Sequence, residues 1–244
     1  MQAAKTLMVT GLMALIIWGM KQEAVSNKVT ESLPIRYVRT EGVFQYLSKE
    51  EIKQALMPLV TVSIFDADMQ RIHATVTQMP WVKSATVERV WPDAIDIKVN
   101  ERKAFVRWGK DGLLTEHGEL FMPSNVDQFN TLILIEGPKQ QEAKTLEIMK
   151  GVKMALEDQA LELAEFKVNN REAWEIKLKS GLEILLGRTG QLKKLERFLQ
   201  TLAIFGSEKM AAMQLVDCRY PNGFAVSWKP DIEPIDWGIP KIEQ

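Results

Sequence analysis

The chain has 244 residues, room for about two domains on the usual scale of ~100–200 residues each. Its 31 basic and 32 acidic side chains nearly cancel, which excludes a global electrostatic footprint for nucleic acid, and a hydrophobic content of 46% excludes a disordered chain. A single cysteine, Cys218, excludes an intramolecular disulfide; flanked by Asp217 and Arg219 in a strand-like run, it reads as a small buried apolar residue before it reads as a reactive thiol.

No charged residue lies between Leu7 and Met20. As a helix that run measures about 21 Å against a hydrocarbon core of about 30 Å. Ala3, Ala4 and Thr6, with Lys5 stretching its ammonium to the headgroups, lengthen it to a short span. Three readings compete: an uncleaved signal-anchor, a signal peptide cleaved near Ala24-Val25-Ser26, and a buried core helix. Lys21, Gln22 and Glu23 separate the apolar run from the cleavage sequence, and an apolar helix at the extreme N-terminus is an awkward core element. The expectation is therefore the anchor. Residues 1–5 form a cytoplasmic stub and 6–20 cross the inner membrane, with Trp18 near the interface and everything after Met20 exported. Residues 21–32 are a polar linker.

Residues 33–102 form the first exported module. A short strand is expected over residues 35–38 and a helix from about Ser48, where Glu50 and Glu51 suit a first turn. A second helix starts at Asp66 or Asp68, with Met69, Ile72, Val76 and Met79 at helical spacing. Pro80, which lacks an amide hydrogen, stops it. Then Trp81-Val82-Lys83 opens a strand, Trp91-Pro92-Asp93 turns the chain, and Ile95, Ile97 and Val99 alternate with Asp96, Lys98 and Asn100 in a paired strand. Burying Trp81, about 200 Å² at ~25 cal/mol per Å², contributes on the order of several kcal/mol to so small a unit. The order strand, helix, helix, strand, strand, with Pro-Trp before the second strand and Trp-Pro before the third, resembles a POTRA domain. Such modules bind other polypeptides and carry no chemistry.

Residues 103–228 change pattern to short strands broken by two helices. Residues 105–108, 113–114 and 119–122 are strand-like, with turns at Gly109–Gly112 and His117–Gly118. Residues 131–135 make an apolar strand stopped by Gly137-Pro138. Leu146, Met149, Val152 and Leu156 mark a helix from about Lys139. A hairpin follows, apolar on Trp174, Ile176 and Leu178, turning at Ser180-Gly181, then apolar on Leu182, Ile184 and Leu186. Leu192, Leu195, Phe198, Leu199 and Leu202 mark the second helix. Strands over 215–220 and 224–228 flank the turn Pro221-Asn222-Gly223. Residues 229–244, rich in proline and acid, read as a flexible tail.

Chemistry is hard to find. His73 falls mid-helix and His117 in a turn, neither at ligand spacing from other donors. G-x-S-x-G, H-E-x-x-H, S-x-x-K and Walker A patterns are all absent from the sequence. Gly187-Arg188-Thr189-Gly190 precedes a helix but lacks the lysine and spacing of a phosphate loop, so a strand-to-helix turn capped by Thr189 is expected. Glu183 and Glu196, and the basic group Lys193, Lys194 and Arg197, read as solvated faces. Binding remains. The final strand of a sheet built from hairpins is expected at an edge, with Phe224, Val226 and Trp228 on one face and the small Ala225 and Ser227 on the other. It either packs only on its own domain or also accepts a partner's strand by β-augmentation.

Taken in order, Leu33-Pro34, Met79-Pro80-Trp81-Val82, Trp91-Pro92-Asp93, Arg107-Trp108, Leu186-Gly187-Arg188, and Val216-Asp217 with Arg219-Tyr220, Gly223 and Trp228 resemble the FtsQ/DivIB cell-division family. The resemblance spans residues 33–228. It implies an α+β chain with an N-terminal transmembrane helix, a POTRA module (β-α-α-β-β) and a β-rich domain with two helices. It further implies a non-enzymatic scaffold at the division septum, bound to FtsB and FtsL and recruiting septal peptidoglycan synthesis, with no cofactor, nucleic acid or small-molecule substrate. Other division proteins would contact the POTRA module. Partner-binding positions carried over are Arg219, Tyr220, Asn222, Gly223, Phe224, Ser227 and Trp228, with Arg171 as a further basic contact; Val226 joins them from the edge-strand argument. Three departures stand out: a short N-terminal segment, Ala104 where proline is common, and Asn222 in place of a small hydroxyl residue. Two other function classes stay open. A periplasmic secretion or outer-membrane assembly accessory would bind its substrates independently of FtsB; an exported enzyme would need a cleft gathering titratable groups.

Overall fold

Two alternating stretches, β2 (Val82–Val90) and β3 (Ala94–Glu101), pair antiparallel around the Trp91-Pro92-Asp93 turn, whose Trp91–Pro92 peptide is cis. The computed structural model describes residues 33–205 and 207–230, and the chain divides into two compact units between Arg102 and Lys103. The expected stub, anchor and linker (1–32) and tail (from 231) lie outside the described residues; among those described, no helix is long and apolar enough to cross a membrane.

In the first unit β1 (Tyr37–Glu41) pairs parallel with β3, giving the order β1-β3-β2. It starts two residues later than the sequence suggests. The amides of Arg36 and Tyr37 both donate to the Asp93 carbonyl (2.8 and 3.2 Å), so the hairpin turn decides where regular pairing begins. Helix α1 (Lys49–Leu56) opens on a capping box: Ser48 Oγ accepts the Glu51 amide at 3.0 Å and Glu51 Oε2 accepts the Ser48 amide at 2.9 Å. Helix α2 (Met69–Thr77) takes Asp68 as its N-cap, the carboxylate accepting the Arg71 amide at 3.0 Å. It ends at Thr77, three residues before Pro80.

Ile52, Leu56, Ile72 and Val76 on the helices and Ile95, Ile97 and Val99 on β3 are all buried in the core. Trp81 is buried and stacks on Tyr46 with ring centroids 4.4 Å apart. The backbone before α1 is held by one side chain. Glu101, at the end of β3, accepts the amides of Gln45, Tyr46 and Leu47 at 2.8, 3.1 and 2.7 Å.

The second unit is built on a nine-stranded mixed sheet. A meander of β4 (Val106–Trp108), β5 (Gly112–Leu114) and β6 (Leu120–Phe121) forms one end. β7 (Leu134–Glu136) pairs parallel with β4; helix α3 (Glu142–Glu157) then carries the chain to β8 (Leu163–Val168), parallel to β7. β9 (Trp174–Leu178) and β10 (Glu183–Gly187) continue antiparallel. Helices α4 (Gln191–Phe205) and α5 (Ser207–Ala212) cross to β11 (Met213–Asp217), parallel to β10, and β12 (Ala225–Trp228) pairs antiparallel with β11. The resulting order is β12-β11-β10-β9-β8-β7-β4-β5-β6.

Strand β8 and helix α5 go beyond the sequence expectation. β8 escapes a period-two reading because its register shifts between Leu163 and Glu165, so its buried residues are Leu163, Phe166 and Val168 instead of a strict alternation. Neither is the sheet built by hairpins alone, since β7–β8 and β10–β11 are parallel and need helical crossovers. Those helices cover one face. Leu146, Met149, Val152 and Leu156 of α3 and Leu195, Phe198 and Leu199 of α4 share a core with Phe166, Ile176, Ile184, Leu186 and Val216. Cys218 belongs to this core, as expected, and burial pushes its thiol up to about 11. The opposite face carries ion pairs, two of them cross-strand, Lys177–Glu183 (3.4 Å) and Lys167–Glu136 (3.4 Å), and one within β8, Lys167–Glu165 (3.2 Å).

Replacing Glu101 with alanine strands three amides, so Glu101→Ala should destabilise the first unit by about 1–3 kcal/mol. Urea unfolding followed by tryptophan fluorescence measures this; an unchanged midpoint would show that the three bonds contribute nothing.

Candidate functional site

The alternation of Phe224, Val226 and Trp228 with Ala225 and Ser227 becomes concrete at β12. The first three pack against the core, Phe224 meeting Phe198 edge-on at 5.3 Å, while Ala225 and Ser227 are exposed. β12 is the terminal strand of its sheet, and β11 is its neighbour on one side, with Ala225 opposite Asp217, Val226 opposite Val216 and Ser227 opposite Leu215. Successive residues of a strand aim their peptide groups at opposite sides. The Lys229 amide reaches back to Ala212 O at 3.0 Å, so 227 and 225 share that side, and the N–H and C=O of Val226 face outward. Among the described residues no strand pairs with that side.

The turn leading into β12 is braced from both flanks. Beyond β11 the Cys218 amide donates to Leu185 O at 2.8 Å. Arg219 folds back on Asp217: Nε lies 2.8 Å from Oδ1, Nη2 lies 2.6 Å from Oδ2, and its amide donates to Oδ1 at 3.0 Å. That fork holds the Asp217 carboxyl below its ordinary range and raises the Arg219 guanidinium. Gly187, with φ +72, makes room for the arrangement, because a Cβ there would sit 3.1 Å from Arg219 Cγ. Tyr220 is 55% exposed and Asn222 is exposed, while Gly223 is half-buried.

Helix α4 supplies the other brace. Lys194 Nζ donates to Arg219 O at 3.2 Å and Leu186 O at 3.4 Å, and Arg197 Nη1 donates to Pro221 O at 2.7 Å. The sequence reading of Lys193, Lys194 and Arg197 as one solvated flank is therefore corrected. Lys193 is exposed, but Lys194 and Arg197 are half-buried against the turn, because residues three apart on a helix share a face. The helix begins after Gly190, whose carbonyl accepts the Lys194 amide at 3.0 Å, and not at a Thr189 cap.

Arg171 stands apart from this cluster. It lies exposed in the loop between β8 and β9, where Asn169 Oδ1 accepts the amides of Arg171 and Ala173 at 2.9 and 3.1 Å. Trp174 lies opposite Gly187, and β10 runs parallel to β11, so this loop and the β11–β12 turn occupy the same end of the sheet. Three strand spacings, about 14 Å at ~4.8 Å each, separate β9 from β12. The remaining positions, Arg219 to Trp228, are contiguous. Asp217, Gly187, Lys194 and Arg197 are the residues that sequence reasoning missed. The i, i+2 spacing of Asp217 and Arg219 in extended chain was the available signal for the first.

The residues suit docking more than catalysis. Among the described residues no cluster of three or more His, Cys, Asp or Glu side chains could hold a metal ion. The depression on the open sheet face gathers Glu165, Lys167, Glu175, Lys177 and Glu183, and most of these charges are spent in the ion pairs described above.

Comparison with known proteins bears on the whole chain. Residues 33–102 match the POTRA domain, FtsQ-type, and residues 104–219 match the C-terminal region of the cell division protein FtsQ/DivIB; β12 lies past the second match. The chain is 49% identical over 220 residues to the cell division protein FtsQ of Methylomonas methanica, covering 90% of this chain and 88% of that one. It is 32% identical to FtsQ of Allochromatium vinosum (82% and 80% covered) and 31% identical to FtsQ of Hahella chejuensis (82% and 72% covered). With a POTRA unit followed by this mixed sheet, and with relatives matched over most of both lengths, the chain belongs to the FtsQ/DivIB family of cell division proteins.

Proposed function

We propose that this protein is a non-enzymatic divisome scaffold that binds the FtsB–FtsL pair through β12 and helps recruit the septal peptidoglycan synthesis machinery. A helix over residues 6–20 anchors it in the inner membrane, with both units on the periplasmic side and the site at the division septum. The observation that carries the reading is β12 itself: a terminal strand whose apolar side chains pack against the core and whose outward side, at Val226, is paired with no strand among the described residues. β-Augmentation satisfies those groups and reads side chains through the exposed neighbours of the strand. Ala225 and Ser227 let a second backbone approach. Tyr220 and Asn222, exposed on the turn, and Arg171, at the same end of the sheet, would supply contacts beyond the strand.

Val226→Pro removes an outward N–H without touching the ladder to β11, a substitution that an edge strand tolerates. It should weaken binding of the FtsB periplasmic segment by at least about tenfold while leaving the melting temperature within a few degrees. Tyr220→Ala should weaken binding without unfolding either unit. Wild-type affinity in both variants would remove β12 as the docking edge.

Because Arg219 depresses the Asp217 carboxyl, the fork's contribution is fully present above the ordinary carboxylate range and lost as pH falls through the lowered value. Partner affinity should thus be flat from pH 8 to about 5, as far as this pair governs it, and Asp217→Asn should weaken it across that range. Titration calorimetry on both proteins decides this; equal affinities would exclude a role for the fork. The anchor is checked by N-terminal sequencing of membrane-extracted protein. The apolar segment should be retained, whereas a mature chain beginning near Ser26 would mean a cleaved signal peptide.

A further inference from the structure

We infer that Lys194 and Arg197 of α4 are positioning residues for the docking edge, acting through the β11–β12 turn. The inference rests on the docking role proposed for β12. Three inward positions of the helix grip three points along the turn and the residue that follows it. Lys194 holds the Arg219 carbonyl (3.2 Å), Arg197 holds the Pro221 carbonyl (2.7 Å), and Phe198 packs edge-on against Phe224 (5.3 Å). Spacing of 194, 197 and 198 is that of one helix face, so a rigid element sets all three. The two polar contacts are charge-assisted, roughly twice as strong as neutral hydrogen bonds.

Tyr220 lies between the two held carbonyls and remains 55% exposed. The 219–220 peptide plane before it and the 221–222 plane after Pro221 are therefore both oriented by α4, so the backbone that directs its ring out of the turn is set before any partner arrives. Lys194 ties the turn to β10 as well, through Leu186 O at 3.4 Å, so the turn, the sheet and the helix share one cation. Such preorganisation lowers the ordering cost of association without adding a contact to the partner. Neither cation is needed to close the core, whose apolar residues on the same helix, Leu195, Phe198 and Leu199, are already buried.

Two measurements on the full chain test this. In the free protein, hydrogen–deuterium exchange of the Tyr220, Asn222 and Gly223 amides should accelerate at least about tenfold in Arg197→Ala and in Lys194→Ala, with β8, β9 and β10 unchanged. Unchanged turn exchange, or acceleration spread evenly over the whole unit, would overturn the inference whatever the partner turns out to be. Binding of the FtsB periplasmic segment should fall about tenfold in Arg197→Ala, recover to within about threefold in Arg197→Lys, and fall little further when Arg197→Ala is added to Tyr220→Ala. Fully multiplicative losses would mean that Arg197 touches the partner directly and would overturn a positioning role. Should the wild-type protein bind no FtsB segment, the docking proposal fails while the exchange result still decides the brace.

Discussion

Val226 carries peptide groups that β11 cannot reach. A strand paired on one side only leaves every second residue with a donor and an acceptor directed away from the sheet, a template on which another chain can pair. The rest of the second unit is arranged so that this strand stays in place with β11 as its one strand neighbour among the described residues. Its apolar row packs against the core, Phe224 meeting Phe198 of α4, its other face is kept small by Ala225 and Ser227, and its register to β11 is secured by pairs from Ala225 to Trp228. A flat edge with apolar side chains on both faces would invite indiscriminate pairing. Here recognition is confined to a short stretch beside a shaped turn.

That turn shows how a β-rich unit makes a specific surface from irregular backbone. Asp217 and Arg219 lie two residues apart in extended chain, on one side, and close a fork that needs no distant partner. Lys194 and Arg197 come from a helix more than twenty residues earlier and reach carbonyls that no strand satisfies. Local and long-range braces act on the same few peptide units. Arg171, on a separate loop at the same end of the sheet, broadens the surface beyond the edge strand.

The first unit solves the same problem of irregular backbone differently. The chain between β1 and α1 pairs with no strand among the described residues, and a single carboxylate, Glu101, collects three of its amides. Because Glu101 terminates β3, the hairpin and the approach to α1 are tied together, and Trp81, stacked on Tyr46, closes the same corner from the apolar side. Membership of the FtsQ/DivIB family accounts for the pairing of these two units in one chain.

Several features were determined by the sequence alone, because they depend on neighbours within a few residues. The Ser48 capping box, the strand alternation of Ile95, Ile97 and Val99, and the one-sided burial of Phe224, Val226 and Trp228 are set by period and by local chemistry. Other features were decided only by the tertiary structure. The bulged strand β8 hides its period behind a register shift, and the order of nine strands depends on which parallel crossovers the helices make. Lys194 and Arg197 differ from Lys193 only in the direction that α4 turns them relative to the β11–β12 turn. No composition or spacing distinguishes a solvated lysine from one that holds a carbonyl, because the difference lies in a partner that is distant along the chain and near only once it has folded.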